Sequence, residues 1–250
     1  MTLINEKNII RRDDAKEFIE DYWTKRTPKF CELRKEELQS EKMFLWKEEI
    51  CRHLPSQHGL KILDIGCGAG FFSILLAKLG HEVTGIDLTK TMIVEATSLA
   101  KEEETSVRFL IMDAEKLDFP DGTFDVIVSR NVTWNLPHPE QAYGEWLRVL
   151  KKGGILLNYD AEYGKYHHGD FQREAVYAHK DLTEDLVEQC HQIYHMLDIS
   201  IYDRPRWDMA VLQKFGVRFC ETDTTVGPRL YAQKDKFYAA APFFGVFAVK

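Results

Sequence analysis

Hydrophobic positions change their spacing twice along this chain. Near the start, Ala15, Phe18, Ile19, Tyr22 and Trp23 fall on the i, i+3, i+4, i+7, i+8 stripe of an amphipathic helix. Asp14 and Glu17 stand at capping-box spacing in front of it, and Pro28 is expected to limit it. A second helix is expected from about Glu36 to Leu54, with Met43, Trp46, Ile50 and Leu54 on one stripe before Pro55.

After Gly59 short apolar runs alternate with amphipathic ones. The runs Lys61–Ile65, Glu82–Ile86, Val107–Met112, Phe124–Ser129 and Gly154–Asn158 read as strands. Helices are predicted between them, one capped by Thr89 and one entered near Pro139. Strands joined by crossover helices imply an α/β, doubly wound sheet, mostly parallel, with helices on both faces. The rhythm breaks after Tyr159 with the aromatic and His-rich run Asp160–His168 and a helix from about Thr183 to Leu197. It resumes with a helix from Asp208 to Phe215 and strands near Val217–Thr225 and Phe243–Val249. The expected division is a helical extension or lid over 1–58, then one domain over 59–250 with a substrate-side insertion at about 160–206.

The chain has 250 residues, 44% hydrophobic and 29% charged, as in an ordinary globular protein. No uncharged run approaches the ~20 apolar residues of a membrane span, and the charged start lacks the apolar core of a secretion signal. A cytoplasmic location without membrane association is the expectation. The net charge is −7, and no third of the chain holds a basic excess, so a nucleic-acid partner is not expected. Cys31, Cys51, Cys67, Cys190 and Cys220 form no C-x-x-C pair and read as reduced, buried thiols. The sequence carries no signature of oligomeric state.

The strongest chemical signal is the turn Gly66-Cys67-Gly68-Ala69-Gly70, set between a buried strand and a helix. Glycine there lets a ligand reach the backbone amides and the helix N-terminus. Asp87 ends the next strand, where a carboxylate can accept both hydroxyl hydrogens of a ribose. Asp113 ends the third strand in the same way.

Four motifs in order complete a resemblance: Asp64 to Gly70, the acid Asp87, Met112-Asp113-Ala114-Glu115 followed by Phe119 to Asp125, and Leu150-Lys151-Lys152-Gly153-Gly154. Over about Leu60 to Asn158 the chain resembles the class I S-adenosylmethionine-dependent methyltransferases, in their small-molecule branch. The resemblance implies a Rossmann-like seven-stranded sheet with an antiparallel last strand, and S-adenosylmethionine as cofactor. It also implies that Gly66 and Gly68 approach the cofactor's amino-acid part, with Asp64 supporting that end. By the same resemblance Asp87 holds the ribose, Leu88 lies against the adenine, and Asp113 and Ala114 take the adenine edge. Cys67, Met92, Glu115, Arg130 and Asn131 complete the expected cofactor set. Lys152 replaces the proline that relatives usually carry, and Trp134 stands where many have a histidine, so histidine-assisted deprotonation does not carry over.

Ligands of open α/β sheets lie beyond the carboxyl ends of the strands, which places Arg130, Asn131, Trp134 and Asn135 at the reactive end with Tyr163 nearby. Tyr22 and Trp23 are the lid residues expected to face the substrate. The implied function is methyl transfer to a small-molecule acceptor. Alternatives are a catalytically silent cofactor-binding regulator and, less favoured, a protein or RNA methyltransferase. A nicotinamide oxidoreductase is disfavoured because the turn reads G-x-G-x-G and no tyrosine has a lysine four places on. His191 and His195 form an i, i+4 pair beside the stripe Leu186, Cys190, Ile193 and Leu197, with no third ligand fixed by spacing, so no metal is expected.

Overall fold

A computed structural model describes residues 15–166, 182–238 and 241–250. The elements run α1 (Ala15–Leu38), α2 (Glu41–Cys51), β1 (Lys61–Ile65), α3 (Phe71–Lys78), β2 (Glu82–Asp87), α4 (Lys90–Glu102), β3 (Val107–Ile111) and β4 (Phe124–Arg130). They continue with α5 (Pro139–Val149), β5 (Leu150–Ala161), α6 (Glu184–Met196), α7 (Arg206–Lys214), β6 (Phe219–Asp223), α8 (Val226–Leu230) and β7 (Phe243–Val249). One seven-stranded sheet has the order β3-β2-β1-β4-β5-β7-β6. It is doubly wound: β1 pairs in parallel with both β2 and β4, and β7 alone runs antiparallel, against β5 and β6. The sheet therefore has the expected architecture, Rossmann-like with an antiparallel last strand.

The central strands are apolar over their middle residues because each face of the sheet is covered. Ile62, Val126, Val128 and Leu157 join a core with α1, α2 and α3. Leu63, Ile127 and Leu156 point the other way, into a core with α5 and α7. Trp46 anchors the first core, its ring 4.9 Å from Phe72 and 5.2 Å from Tyr159.

Several sequence expectations need correction. Helix α1 does not stop at Pro28 but continues to Leu38. Pro28 and Thr24, the residue whose carbonyl loses its donor, are both exposed, so water can satisfy that carbonyl while the opposite face stays packed. That face carries Arg26, Thr27, Arg34 and Glu37 beside Ile19, Tyr22 and Cys31, all buried. The second helix starts at Glu41, where the Ser40 hydroxyl accepts from the Lys42 amide, and ends at Cys51. Thr89 occupies the N-cap of α4 without a side-chain capping bond. Cys51 is exposed and Cys220 half-buried, so only Cys31, Cys67 and Cys190 are buried thiols. In the insertion, Thr183 caps α6 and Cys190, Ile193 and Leu197 are buried as the stripe requires. Asp14, His167 and His168 lie outside the described residues. Among the described residues no helix is long and apolar enough to cross a membrane.

Candidate functional site

Beyond the carboxyl ends of β1, β2 and β4 lies a cleft of about 1440 Å³, its open mouth included. Its floor is the glycine turn. Gly66 and Gly68 have φ of +62° and +52°, and a side chain on Gly66 would run into Val132. At Gly68 a Cβ would lie 3.0 Å from the Phe30 ring of α1, so this turn is tight against the roof as well as left-handed. Asp87 fixes the turn from the side: one carboxylate oxygen accepts from the Gly68 amide at 2.9 Å and the other from the Thr89 amide at 2.8 Å. A carboxylate offers about four acceptor sites, so two remain for a ligand. Burial pushes its carboxyl above the usual carboxylate range in spite of those donors.

Asp64, at the end of β1, is 2% exposed and lines the same floor. The Ser73 hydroxyl donates to it at 2.6 Å, yet burial pushes its carboxyl up to about 7. The nearby Asn131 has φ of +58°, and its buried side-chain oxygen has no donor. The Asp64 carboxyl is neutral below its folded value, whereas in an unfolded chain it ionises near 3.8, so stability is lost as pH rises between the two. Asp64→Asn in the unliganded protein is therefore expected to raise stability at pH 8 by up to about 4 kcal/mol and to change it little near pH 4. Melting curves of both proteins at the two pH values check the sign; an equal shift at both would contradict it.

With one exception, every residue expected to touch the cofactor lines the cleft. The exception is Glu115. Its fully buried carboxylate turns to the His138 amide and ring, at 2.5 and 3.1 Å, and to Lys16 at 2.5 Å. Lys16 also reaches Asp113 at 2.6 Å, so the first turn of α1 is bolted to the loop after β3. Trp23, Trp134, Asn135 and Tyr163 line the cleft as expected, but Tyr22 does not. It is 1% exposed, packed in the main core, because it lies on the inner stripe of α1 and its hydroxyl accepts from Arg26 at 3.0 Å. Trp23, one position around the helix, faces the cleft. Its indole N–H donates at 2.8 Å to the side-chain oxygen of Asn135, whose amide nitrogen donates to the Val132 carbonyl.

Trp134 is held by a buried polar network. Its backbone amide donates to Asp160 at 2.9 Å, and its indole N–H donates to the Asn131 carbonyl at 3.0 Å. Arg204, from the insertion, donates to Asp160 and twice to Asp208. The Tyr143 hydroxyl donates to Asp208 and accepts from Asn158, which reaches Thr133 and Ser129. These bonds join the turn that carries Trp134 to β4, β5, α5 and α7 and so fix it. The ring meets Tyr163 at 5.1 Å and Trp23 at 6.5 Å between centroids, an aromatic wall over the reactive end.

Sequence reasoning missed, among other lining residues, Phe30, Arg34, Tyr231 and Phe237. Phe30 and Arg34 continue the α1 stripe past Pro28, and a helix running through that proline would have shown them. Tyr231 and Phe237 follow α8 without a periodic signal.

Residues 63–158 match the family model described as a methyltransferase domain. Over 100 residues the chain is 42% identical to the 2-methyl-6-phytyl-1,4-hydroquinone methyltransferase of Synechocystis, covering 40% of this chain and 31% of that one. Over 119 residues it is 40% identical to the ubiquinone/menaquinone biosynthesis C-methyltransferase UbiE of Stutzerimonas stutzeri, covering 45% and 46%. The chain thus spans less than half the length of these relatives. Among solved structures, a SAM-dependent methyltransferase from Aquifex aeolicus shares the fold with a TM-score of 0.56 at 21% identity, covering 87% of this chain and 96% of that one. The sequence likeness to a methyltransferase domain thus falls on residues 63–158, the stretch that carries the glycine turn, Asp87 and the end of β4.

Proposed function

We propose that the protein transfers a methyl group from S-adenosylmethionine to a small-molecule acceptor in the cytoplasm. The observation that carries the reading is the pairing of Asp87 with the glycine turn: a carboxylate with two acceptor sites to spare beside a floor open to close backbone approach. The remaining donors and acceptors fit the same cofactor. Asp64 and the orphaned Asn131 oxygen are acceptors suited to its ammonium group, and Leu88, Met112 and Ala114 form an apolar edge suited to its adenine. Five free cysteines support the cytoplasmic assignment.

When bound, the cofactor supplies a methyl carbon made electrophilic by a sulfonium. The protein's task is alignment of the acceptor atom with that carbon, which can contribute on the order of 7 kcal/mol or more to lowering the barrier. Trp134, fixed by its network, and Trp23 form the wall that orients the acceptor and excludes water. Aromatic faces also attract a cation, which favours the sulfonium at this place. Among the described residues no histidine lines the cleft. Both curated relatives are named for quinone or hydroquinone methylation, and a small acceptor with an apolar body suits the aromatic wall here.

Calorimetry checks the reading. S-adenosylmethionine and S-adenosylhomocysteine are expected to bind one per chain, while a nicotinamide dinucleotide shows no heat. Tight dinucleotide binding would reverse the assignment.

A further inference from the structure

Trp134 is a partition between two spaces. On one side it lines the cleft, and on the other a smaller hollow of about 230 Å³, open mouth included, bounded by Lys165, Tyr202 and Arg204 of the insertion. Tyr163 and Tyr194 meet the ring at 5.1 and 5.2 Å between centroids. Packing alone does not locate a side chain that has space on both sides. Its place matters, because a misplacement of about 1 Å in a group that orients a reactant can cost on the order of a hundredfold in rate.

The backbone sets that place. The Trp134 amide donates at 2.9 Å to Oδ2 of Asp160, and the Nη1 of Arg204 donates to the same oxygen at 2.9 Å. The other oxygen of Asp160 accepts from the Ala161 amide at 2.9 Å. Arg204 is itself locked: its Nε and Nη2 donate to Asp208 at 2.9 and 2.8 Å, and its plane lies 5.1 Å from the Phe244 ring centre. The three side chains are out of water, Arg204 4% exposed and both carboxylates 0%.

The turn Thr133–Asn135 carries both halves of the aromatic wall. It holds Trp134 directly, and the Asn135 side-chain oxygen accepts from the Trp23 indole N–H at 2.8 Å, which ties α1 to the same turn. Arg204 does not line the cleft, and its hydrogen bonds go to Asp160 and Asp208, away from Asp87 and the glycine turn.

We propose that Arg204 is a positioning residue for methyl transfer: through Asp160 it sets the Thr133–Asn135 turn and with it Trp134 and Trp23, so that the insertion governs use of the acceptor and leaves cofactor binding alone. The inference rests on the reading of that wall as the acceptor side of the site.

The test compares full-length wild type with Arg204→Lys and Arg204→Gln. Lysine keeps a cation beside the two carboxylates but lacks the planar fork that reaches both. Three quantities are followed: the fluorine spectrum of protein labelled with 5-fluorotryptophan, calorimetric affinity for S-adenosylhomocysteine, and transfer of labelled methyl into a metabolite extract at saturating cofactor. Resonances are assigned with single Trp→Phe variants. In Arg204→Lys the Trp134 and Trp23 resonances should move or broaden while that of Trp46 stays in place. S-adenosylhomocysteine affinity should stay within twofold and methyl transfer fall at least tenfold. Arg204→Gln should show the same pattern more strongly, and if it fails to fold, the lysine variant decides. The proposal is overturned if Arg204→Lys leaves the Trp134 and Trp23 resonances unmoved, or if methyl transfer is unchanged. It is overturned equally if affinity, transfer and melting temperature fall in step, which marks a purely structural arginine. A wild-type protein that binds no cofactor, or binds it and never transfers the methyl group, would refute the functional reading instead, and the fluorine spectra would still decide whether Arg204 sets the wall.

Discussion

A chain lacking residues 1–38 is expected not to fold. Removing α1 strips Ala15, Ile19, Tyr22 and Leu38 out of the main core, where each is at most 6% exposed. Burial of a large apolar side chain stabilises by about 1.5–3 kcal/mol, so Ile19, Tyr22 and Leu38 together contribute roughly 4–9 kcal/mol. The deletion also takes Glu37 from Arg130, and stranding one partner of a buried ion pair costs about 3–5 kcal/mol more. The sum is comparable with the ~5–15 kcal/mol by which a whole domain is stable. Melting temperature, cofactor affinity and turnover should therefore be lost together. A truncated protein that melts cooperatively and binds the cofactor, with turnover alone abolished, would show that α1 is a detachable lid.

Asp87→Ala is expected to weaken S-adenosylhomocysteine binding by roughly a hundredfold or more. Two hydrogen bonds to the carboxylate are at stake, each contributing about 1.5–3 kcal/mol. The same substitution also strips the Gly68 and Thr89 amides of their acceptor, loosening the floor. Asp87→Asn should do little better, because its amide nitrogen must face one of those two N–H groups. Stability should change much less than affinity: burial already disfavours the Asp87 charge, so removing it offsets part of the lost hydrogen bonding. Parallel melts and titrations test this, and unchanged affinity in the alanine variant would refute the ribose assignment.

The parts of the site legible in the sequence are those built from local geometry. The central strands β1, β4 and β5 announced themselves as apolar runs, since covering both faces of a sheet leaves little polar alternation, and the glycine turn and Asp87 followed from strand ends. What remained hidden depends on pairings far apart in the chain. Glu37 lies in a run of charged residues that reads as a solvated helix face; only its contact with Arg130, 93 positions away, makes it a buried counterion. Asp160 and Arg204 likewise meet across 44 positions to fix Trp134. Glu115 was misplaced because its motif neighbours Asp113 and Ala114 do line the cleft, while Lys16 and His138 draw its carboxylate elsewhere. Pro28 misled because its effect depends on whether the freed carbonyl faces water, a property of packing that local sequence does not carry.

The most direct test of the account supplies the wild-type protein with methyl-labelled S-adenosylmethionine and a deproteinised metabolite extract, then follows both products. Methyl transfer predicts that S-adenosylhomocysteine accumulates in equal amount with a labelled small molecule, and that Asp87→Ala loses both at low cofactor concentration. Cofactor that binds the wild-type protein yet is never consumed, whatever the extract, would contradict the account and leave a binding protein in place of an enzyme.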